Sequence, residues 1–346
     1  MRRIAPLLLL AVGCAGLRCM PTKIPNGIVR TRLGVFMLDD KPVKFLGINV
    51  YPLASRPLPK FICGRSYTDA EVRQTMDEVR ALVPPPFVPV IRLNMFRNFI
   101  GPERDWSRYD LIFAEARARG IKIVATLDSH WGSCSGEGVR PPKWYCLGYR
   151  QPGKNGLPSQ WEHVRDAARR YRDEPALLMW QIINEGQCDD AEALLAYAAD
   201  LSSLLKHHDP NHLVSFGTMG DDRHRPGAEG SAYARLHQLP TIDVVESHEY
   251  PLEGAPPGTW LEAPLRNCLT VGDTYDKPCM IGEIGMTALT PEAKARRAEL
   301  VTARIRELFR QGAQAVMIWS YRSGDWQKDI DPTDPLYDAI KKAPLD

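Results

Sequence analysis

What the sequence lacks narrows the possibilities first. No Cys-x-x-Cys pair occurs and no cysteine–histidine spacing fits a zinc site, so no metal cluster is expected. No glycine-rich loop follows an early apolar run, which removes the phosphate cradle that a doubly wound nucleotide-binding sheet requires. Neither sign of charge is in excess: 44 Lys and Arg stand against 42 Asp and Glu, a net of +2. No basic stripe of the kind that nucleic-acid binding uses is present. Arg165–Arg172 and Arg296–Arg306 are rich in arginine, but at helical spacing among Ala and Glu they read as solvated helix faces. The apolar run Ile4–Val12 covers nine residues, whereas a bilayer-spanning helix needs ~20. With no internal repeat and no low-complexity tract, one domain suffices for the 346 residues.

The start of the chain reads as an export leader. Arg2 and Arg3 form a positive segment, Ile4–Val12 an apolar one, and Ala11-Val12-Gly13 supplies small residues for cleavage. Cys14 follows directly and resembles a lipobox cysteine, although Ala11 stands where Leu is usual. The expected organisation is a signal peptide or lipoprotein leader over 1–20, a Pro/Gly-containing tether over 21–28 and a single folded domain over 29–346. The protein would be secreted, or held at the cell envelope only through an acylated Cys14. Export lets cysteines pair. Six of the eight lie in the domain: Cys63, Cys134, Cys146, Cys188, Cys268 and Cys279. Cys268 with Cys279 is the best single pair. The other four follow apolar runs and can staple loops at one end of the fold, in a connectivity that spacing does not reveal.

Apolar runs of strand length alternate with amphipathic helical stretches. Two extended segments, Gly34–Leu38 and Pro42–Asn49, meet at the turn pair Asp39-Asp40. Strands are predicted at Val43–Ile48, Val88–Leu93, Ile121–Leu127, Ala176–Ile183, Leu213–Phe216, Ile242–Ser247, Cys279–Gly282 and Ala313–Ile318. Such near-continuous apolar runs mark strands covered on both faces. Thr68 with Glu71 and Ser159 with Glu162 fit the capping box at helix starts. Gly120 and Gly312 stop the helical stretches Trp106–Arg119 and Pro291–Arg310. The alternation predicts an α/β fold, a (β/α)8 TIM barrel.

Barrel active sites form at the C-terminal ends of the strands. In order, the residues after the apolar runs are Asn49 and Tyr51; Arg92 and Asn94; Asp128, His130 and Trp131; Asn184 and Glu185; Thr218 and Met219; His248, Glu249 and Tyr250; Glu283; Trp319 and Tyr321. The set is polar, ionisable and aromatic. Two carboxylates ending strands on opposite sides of a barrel are what glycosidic cleavage needs. Asp128 and Glu249 are expected to support from the opposite face to His130 and His248. Trp131, Trp144 and Tyr145 are candidate sugar platforms, and Trp180, in mid-strand, a core residue.

Ile182-Ile183-Asn184-Glu185 looks like the strand-four Asn-Glu of the clan A glycoside hydrolases, and Ile281-Gly282-Glu283-Ile284-Gly285 resembles their strand-seven nucleophile motif. With Arg92, His130, His248-Glu249-Tyr250 and Trp319 in other positions of the pattern, the stretch from Asp40 to Tyr321 is similar to glycoside hydrolase family 5, the cellulase and mannanase family. Where many relatives have Pro after Asn-Glu, this chain has Gly186-Gln187-Cys188, which points to an unusual strand-four loop. The resemblance implies Glu185 as acid/base and Glu283 as nucleophile of a retaining enzyme. Arg92 would orient Glu283, Asn184 would bind the sugar 2-hydroxyl, and His248 and Tyr250 would bond around both carboxyls. Trp319 would be a sugar platform and His130 part of the wall. The implied substrate is a β-linked polysaccharide or oligosaccharide, β-mannan or β-1,4-glucan, cut by an endo-acting monomer without cofactor or metal. A catalytically silent carbohydrate-binding barrel and a transglycosylase using the same carboxylates are the alternatives. A metal-dependent barrel hydrolase would place His-x-His where Asn49-Val50-Tyr51 stands.

Overall fold

A computed structural model describes residues 25–56, 63–135, 137–221 and 226–345. The expected leader, Cys14 and the first half of the tether lie outside these residues. Among the described residues, no helix is long and apolar enough to cross a membrane.

A small antiparallel sheet comes first: β1 (Val29–Arg32), β2 (Val35–Leu38) and β3 (Lys41–Val43). Its second turn is the predicted Asp39-Asp40, both residues at positive φ (49° and 62°). Two such residues in succession give a tight turn whose twist matches the flanking strands. The second extended segment does not run unbroken to Asn49 as predicted. It divides at Lys44, so that β3 completes the small sheet and β4 (Phe45–Asn49) begins the barrel. Residues 25–28, assigned to the tether on sequence, pack against this region. Gly27 N–H donates to Asp39 Oδ1 at 3.0 Å, Lys122 Nζ donates to the Gly27 carbonyl at 2.6 Å, and Ile28 is buried.

The barrel strands are β4, β5 (Val88–Asn94), β6 (Lys122–Thr126), β7 (Leu177–Gln181), β8 (Leu213–Ser215), β9 (Val245–Glu249), β10 (Cys279–Ile284) and β11 (Ala315–Ile318). All pair in parallel in the order β8-β7-β6-β5-β4-β11-β10-β9. A parallel bridge from Ser215 to Val244 joins the two ends and closes the ring, a (β/α)8 barrel. Helices return the chain between strands, among them Asp69–Leu82, Ser107–Arg119, Gln160–Tyr171, Ala191–His208 and Pro291–Gln311. Both predicted capping boxes form, and Gly120 ends its helix in the left-handed conformation. The strand predicted from Ile242 begins instead at Val245.

Parity along the strands sorts the interior. Outward residues such as Leu46, Ile48, Ile91, Ile123, Trp180, Ile281 and Val316 join the core between barrel and helices. Trp180 is the core residue its position predicts, with its indole N–H on Asp209 Oδ2 at 2.7 Å. Inward residues form a second cluster that includes Phe45, Val90, Val124, Met179, Leu213, Val244, Met280 and Met317. Phe36 of the small sheet closes this cluster from below, edge-on to Phe45 at 5.3 Å. Gly47 lets β4 and β5 approach, since a Cβ there would fall 1.7 Å from the Val90 carbonyl oxygen.

The next inward position on several strands is polar. Val90 is followed by Arg92, Val124 by Thr126, Met179 by Gln181, Leu213 by Ser215 and Val244 by Glu246, each fully or almost fully buried. The barrel is therefore apolar at its closed end and polar toward its open end. Met280 belongs to the apolar half, and Met280→Ala is expected to cost about 2–5 kcal/mol. Urea denaturation checks it: the midpoint falls while the slope stays constant.

Candidate active site

At the C-terminal end of the barrel lies a cleft of about 590 Å³. Its lining includes Tyr51, Arg92, Asn94, Trp131, Asn184, Glu185, Tyr250, Glu283 and Trp319. Arg92 is buried on β5 and spans the site. Nε donates to Gln181 Oε1 at 2.9 Å, Nη1 to Asn49 Oδ1 and Glu283 Oε1, both at 2.8 Å, and Nη2 to Asn184 Oδ1 at 2.5 Å. Tyr250 Oη donates to the other Glu283 oxygen at 2.6 Å. Glu185 follows β7 in a left-handed conformation (φ 53°), its N–H held by the Gly217 carbonyl at 2.7 Å. A non-glycine residue held there by its surroundings marks a position where precise placement outweighs backbone comfort. His248 Nδ1 lies 2.8 Å from Glu185 Oε1 and 3.5 Å from Glu283 Oε2, and Trp131 Nε1 donates to Glu185 Oε2.

The facing oxygens of Glu185 and Glu283 and the His248 nitrogen all lie within 4.8 Å of one another. Atoms so close could surround a cation, but the Arg92 guanidinium already sits against Glu283. The carboxyls titrate as a pair. Burial raises Glu283 more than His248 and Arg92 lower it. At Glu185, burial is outweighed by the bonds from His248 and Trp131, which hold its carboxyl below the ordinary range. Burial opposes a charged His248, yet Glu283, Glu185 and Glu246 together raise it to about 9.

Several predicted residues occupy other places than expected. His130 is buried behind Trp131 rather than on the cleft wall. Its Nδ1 pairs with Tyr145 Oη at 2.8 Å and its Nε2 lies 3.1 Å from the Gln187 amide. The cause is the turn after β6, where the His130 N–H bonds the Asn184 carbonyl. Trp144 and Tyr145 are not platforms. Both are buried in an aromatic cluster on Tyr197 of the Ala191–His208 helix. Tyr321 points away from the cleft to Glu78. Asp128 and Glu249 support from behind, on Arg140 at 2.7 Å and Arg304 at 3.1 Å. Cys268 pairs with Cys279, and Cys63 with Cys134, the latter on the cleft wall between the loops after β4 and β6. Cys146 and Cys188 are free thiols.

Sequence reasoning passed over Gln181 and Glu246, polar residues inside apolar runs. Their inward parity was the available signal. It also passed over Asp325 and Lys328, which line the cleft from the loop after β11.

A sequence profile described as GH family 5 beta-mannosidase-like matches residues 162–254. A protein of Aspergillus terreus named "Probable mannan endo-1,4-beta-mannosidase C" is 28% identical over 214 residues, 55% of this chain and 52% of that one. "Mannan endo-1,4-beta-mannosidase 7" of Arabidopsis thaliana is 24% identical over 330 residues, 80% of this chain and 72% of that one. The chain spans about half the length of the first of these relatives. The crystal structure of the endo-1,4-beta-mannanase from Rhizomucor miehei superposes with a TM-score of 0.68 at 19% identity, covering 90% of this chain and 97% of that one. At that identity the likeness is one of fold.

Removing Arg92 would strand a buried carboxylate. Arg92→Met is expected to cost about 3–5 kcal/mol at pH 8. Without the guanidinium the folded state binds a proton at Glu283 that the unfolded chain releases. Stability present in acid is then lost as pH rises through the folded value, so the deficit at pH 5 is smaller. Denaturation at the two pH values measures the difference.

Proposed function

We propose that this chain is a member of glycoside hydrolase family 5, a retaining glycosidase that cuts within β-mannan chains. The observation that carries the reading is the approach of Glu185 and Glu283, with facing oxygens within 4.8 Å. Retaining pairs of carboxyl groups stand ~5–5.5 Å apart, whereas inverting pairs keep ~6.5–9.5 Å for a water. The names of the curated relatives support mannan over glucan.

Glu283 attacks the anomeric carbon while Glu185 protonates the departing oxygen. In the second step Glu185 takes a proton from water, which attacks the same carbon and releases Glu283. Arg92 and Tyr250 aim the Glu283 oxygens. Asn184 spends its carbonyl on Arg92, which leaves its amide N–H groups for the sugar 2-hydroxyl. Trp319 stacks one face on Tyr51 at 5.3 Å and ties its N–H to Asp325, so its cleft side serves as a flat apolar rest for a sugar ring. His248 bonds around both carboxyls, and His130 acts from behind through Trp131.

The hydrogen bonds from His248 and Trp131 favour an ionised Glu185, whereas the first step needs its proton. A glycosidic oxygen accepts but does not donate, so once seated it favours the protonated form. Both carboxyls touch the same His248 nitrogen, so the proton that the pair shares has a short way to travel.

The two disulfides support export to an oxidising compartment. Attachment through Cys14 is the alternative to free secretion, and a monomer suffices because one chain supplies every group named. The test is a panel of β-glycans offered to the mature protein and to Glu185→Gln and Glu283→Gln. β-Mannan should yield oligosaccharides with the wild type. Glu185→Gln should lose about 10²–10⁴-fold on the polymer and far less on an aryl glycoside whose leaving group needs no proton. Undiminished turnover by Glu283→Gln would sink the nucleophile assignment.

A further inference from the structure

We propose that Glu246, beneath the reacting carboxyls inside the barrel, is a positioning residue whose buried negative charge holds protons both on His248 and on the Glu185–Glu283 pair. The proposal rests on the reading of those two as the reacting pair. Glu246 is on β9, fully buried, two residues before His248 on the same inward face. Its Oε1 accepts from Gln181 Nε2 at 2.6 Å and lies 3.5 Å from His248 Nε2. Its Oε2 accepts from Ser215 Oγ. The neighbouring strand makes room for it: a Cβ on Gly282 would fall 2.2 Å from Glu246 Oε1 and 3.0 Å from His248 Nε2.

The Gln181 amide has one workable orientation. Its oxygen receives Arg92 Nε at 2.9 Å and Thr126 Oγ1 at 2.7 Å, so its NH₂ must face Glu246. A ring of contacts results, hydrogen-bonded from Glu283 through Arg92 and Gln181 to Glu246 and from His248 to Glu185, with a 3.5 Å ion-pair contact between Glu246 and His248 completing it. The groups facing His248 are Glu185, Glu246 and Glu283, with the Arg92 guanidinium across the site and the Tyr250 hydroxyl on Glu283. Around Glu246 the charged neighbours are His248 and Arg92, and Tyr233 donates its hydroxyl to the Glu246 backbone carbonyl. His237, on the Gly230–Gln238 helix, also senses the Glu246 charge.

Counting charge gives the ring its purpose. Arg92 and imidazolium His248 contribute two positive charges, and Glu185, Glu246 and Glu283 contribute three negative ones when ionised. Burial penalises any net charge, so the cluster is balanced when one proton sits on the Glu185–Glu283 pair. That is the protonation state from which a retaining glycosidase starts. Without the Glu246 charge the cluster is balanced with one proton fewer, so His248 and the Glu185–Glu283 pair both hold theirs less tightly. Removing a buried negative charge lowers the affinity for protons of every group near it.

The experiment pairs ¹⁵N-histidine NMR with kcat/KM profiles for the wild type and Glu246→Gln, assigning His248 by its loss in His248→Asn. Both His248 ring nitrogens should carry protons at pH 8 in the wild type. In Glu246→Gln the His248 midpoint and the basic limb of kcat/KM should both move to lower pH, by about one unit or more. Glu246→Asp, which keeps the charge, should restore most of both. A role in packing alone would lower stability or kcat at every pH with both midpoints unmoved, and that result overturns the proposal. A neutral His248 in the wild type at pH 8 overturns it too, even if Glu246→Gln does not fold. The NMR midpoint requires no turnover. A shifted midpoint in a protein that cuts no glycan would therefore count against the enzymatic reading and leave the role of Glu246 intact.

Discussion

The guanidinium of Arg92, buried inside the barrel, is the constraint on which the rest of the site depends. A cation removed from water there is tolerable only if its donors are met. Gln181, Asn49, Glu283 and Asn184 meet them from strands on several sides of the ring. Those bonds fix the spacing of the strands at the open end. They also fix where Glu283 points and leave the Asn184 amide facing the cleft. One side chain thus converts the geometry of the barrel into the geometry of the carboxyls.

Around that cation the interior is graded. Phe36, Phe45, Met280 and Met317 fill the lower end with apolar volume, and one pleat higher the same inward positions turn polar. The change costs little because the polar residues satisfy one another: Thr126 and Arg92 on Gln181, Gln181 and Ser215 on Glu246. The loops above are restrained separately. Cys63–Cys134 ties the loop after β4 to the turn carrying Trp131, and Asp329 gathers the Ser320, Ser323 and Gly324 donors under Trp319. Rigid support of this kind keeps Glu185 and Glu283 in register with the cleft around them.

Much of this was legible in the chain itself, for reasons that can be named. Strands covered on both faces leave long apolar runs, so all eight barrel strands could be located, with errors only at their ends. Glu185 and Glu283 were visible because each ends such a run, where a charge has no packing reason to be. His130 shows the limit. It occupies a matching position in the sequence, yet the bridge between Ser129 and Asn184 turns it behind Trp131. Trp144 and Tyr145 read as sugar platforms, and the presence of Tyr197 beside them made them core.

By itself the sequence determined the barrel, the order of its strands and the two carboxylates at their ends, because hydrophobic periodicity and strand termination are local properties. Tertiary structure decided which side chains meet. The 4.8 Å approach of Glu185 to Glu283, the pairing of Cys63 with Cys134 and the ring through Gln181 and Glu246 join residues dozens of positions apart. Whether a polar residue in an apolar run faces the barrel axis or a helix depends on parity counted from the barrel axis. That origin exists only once the ring has closed.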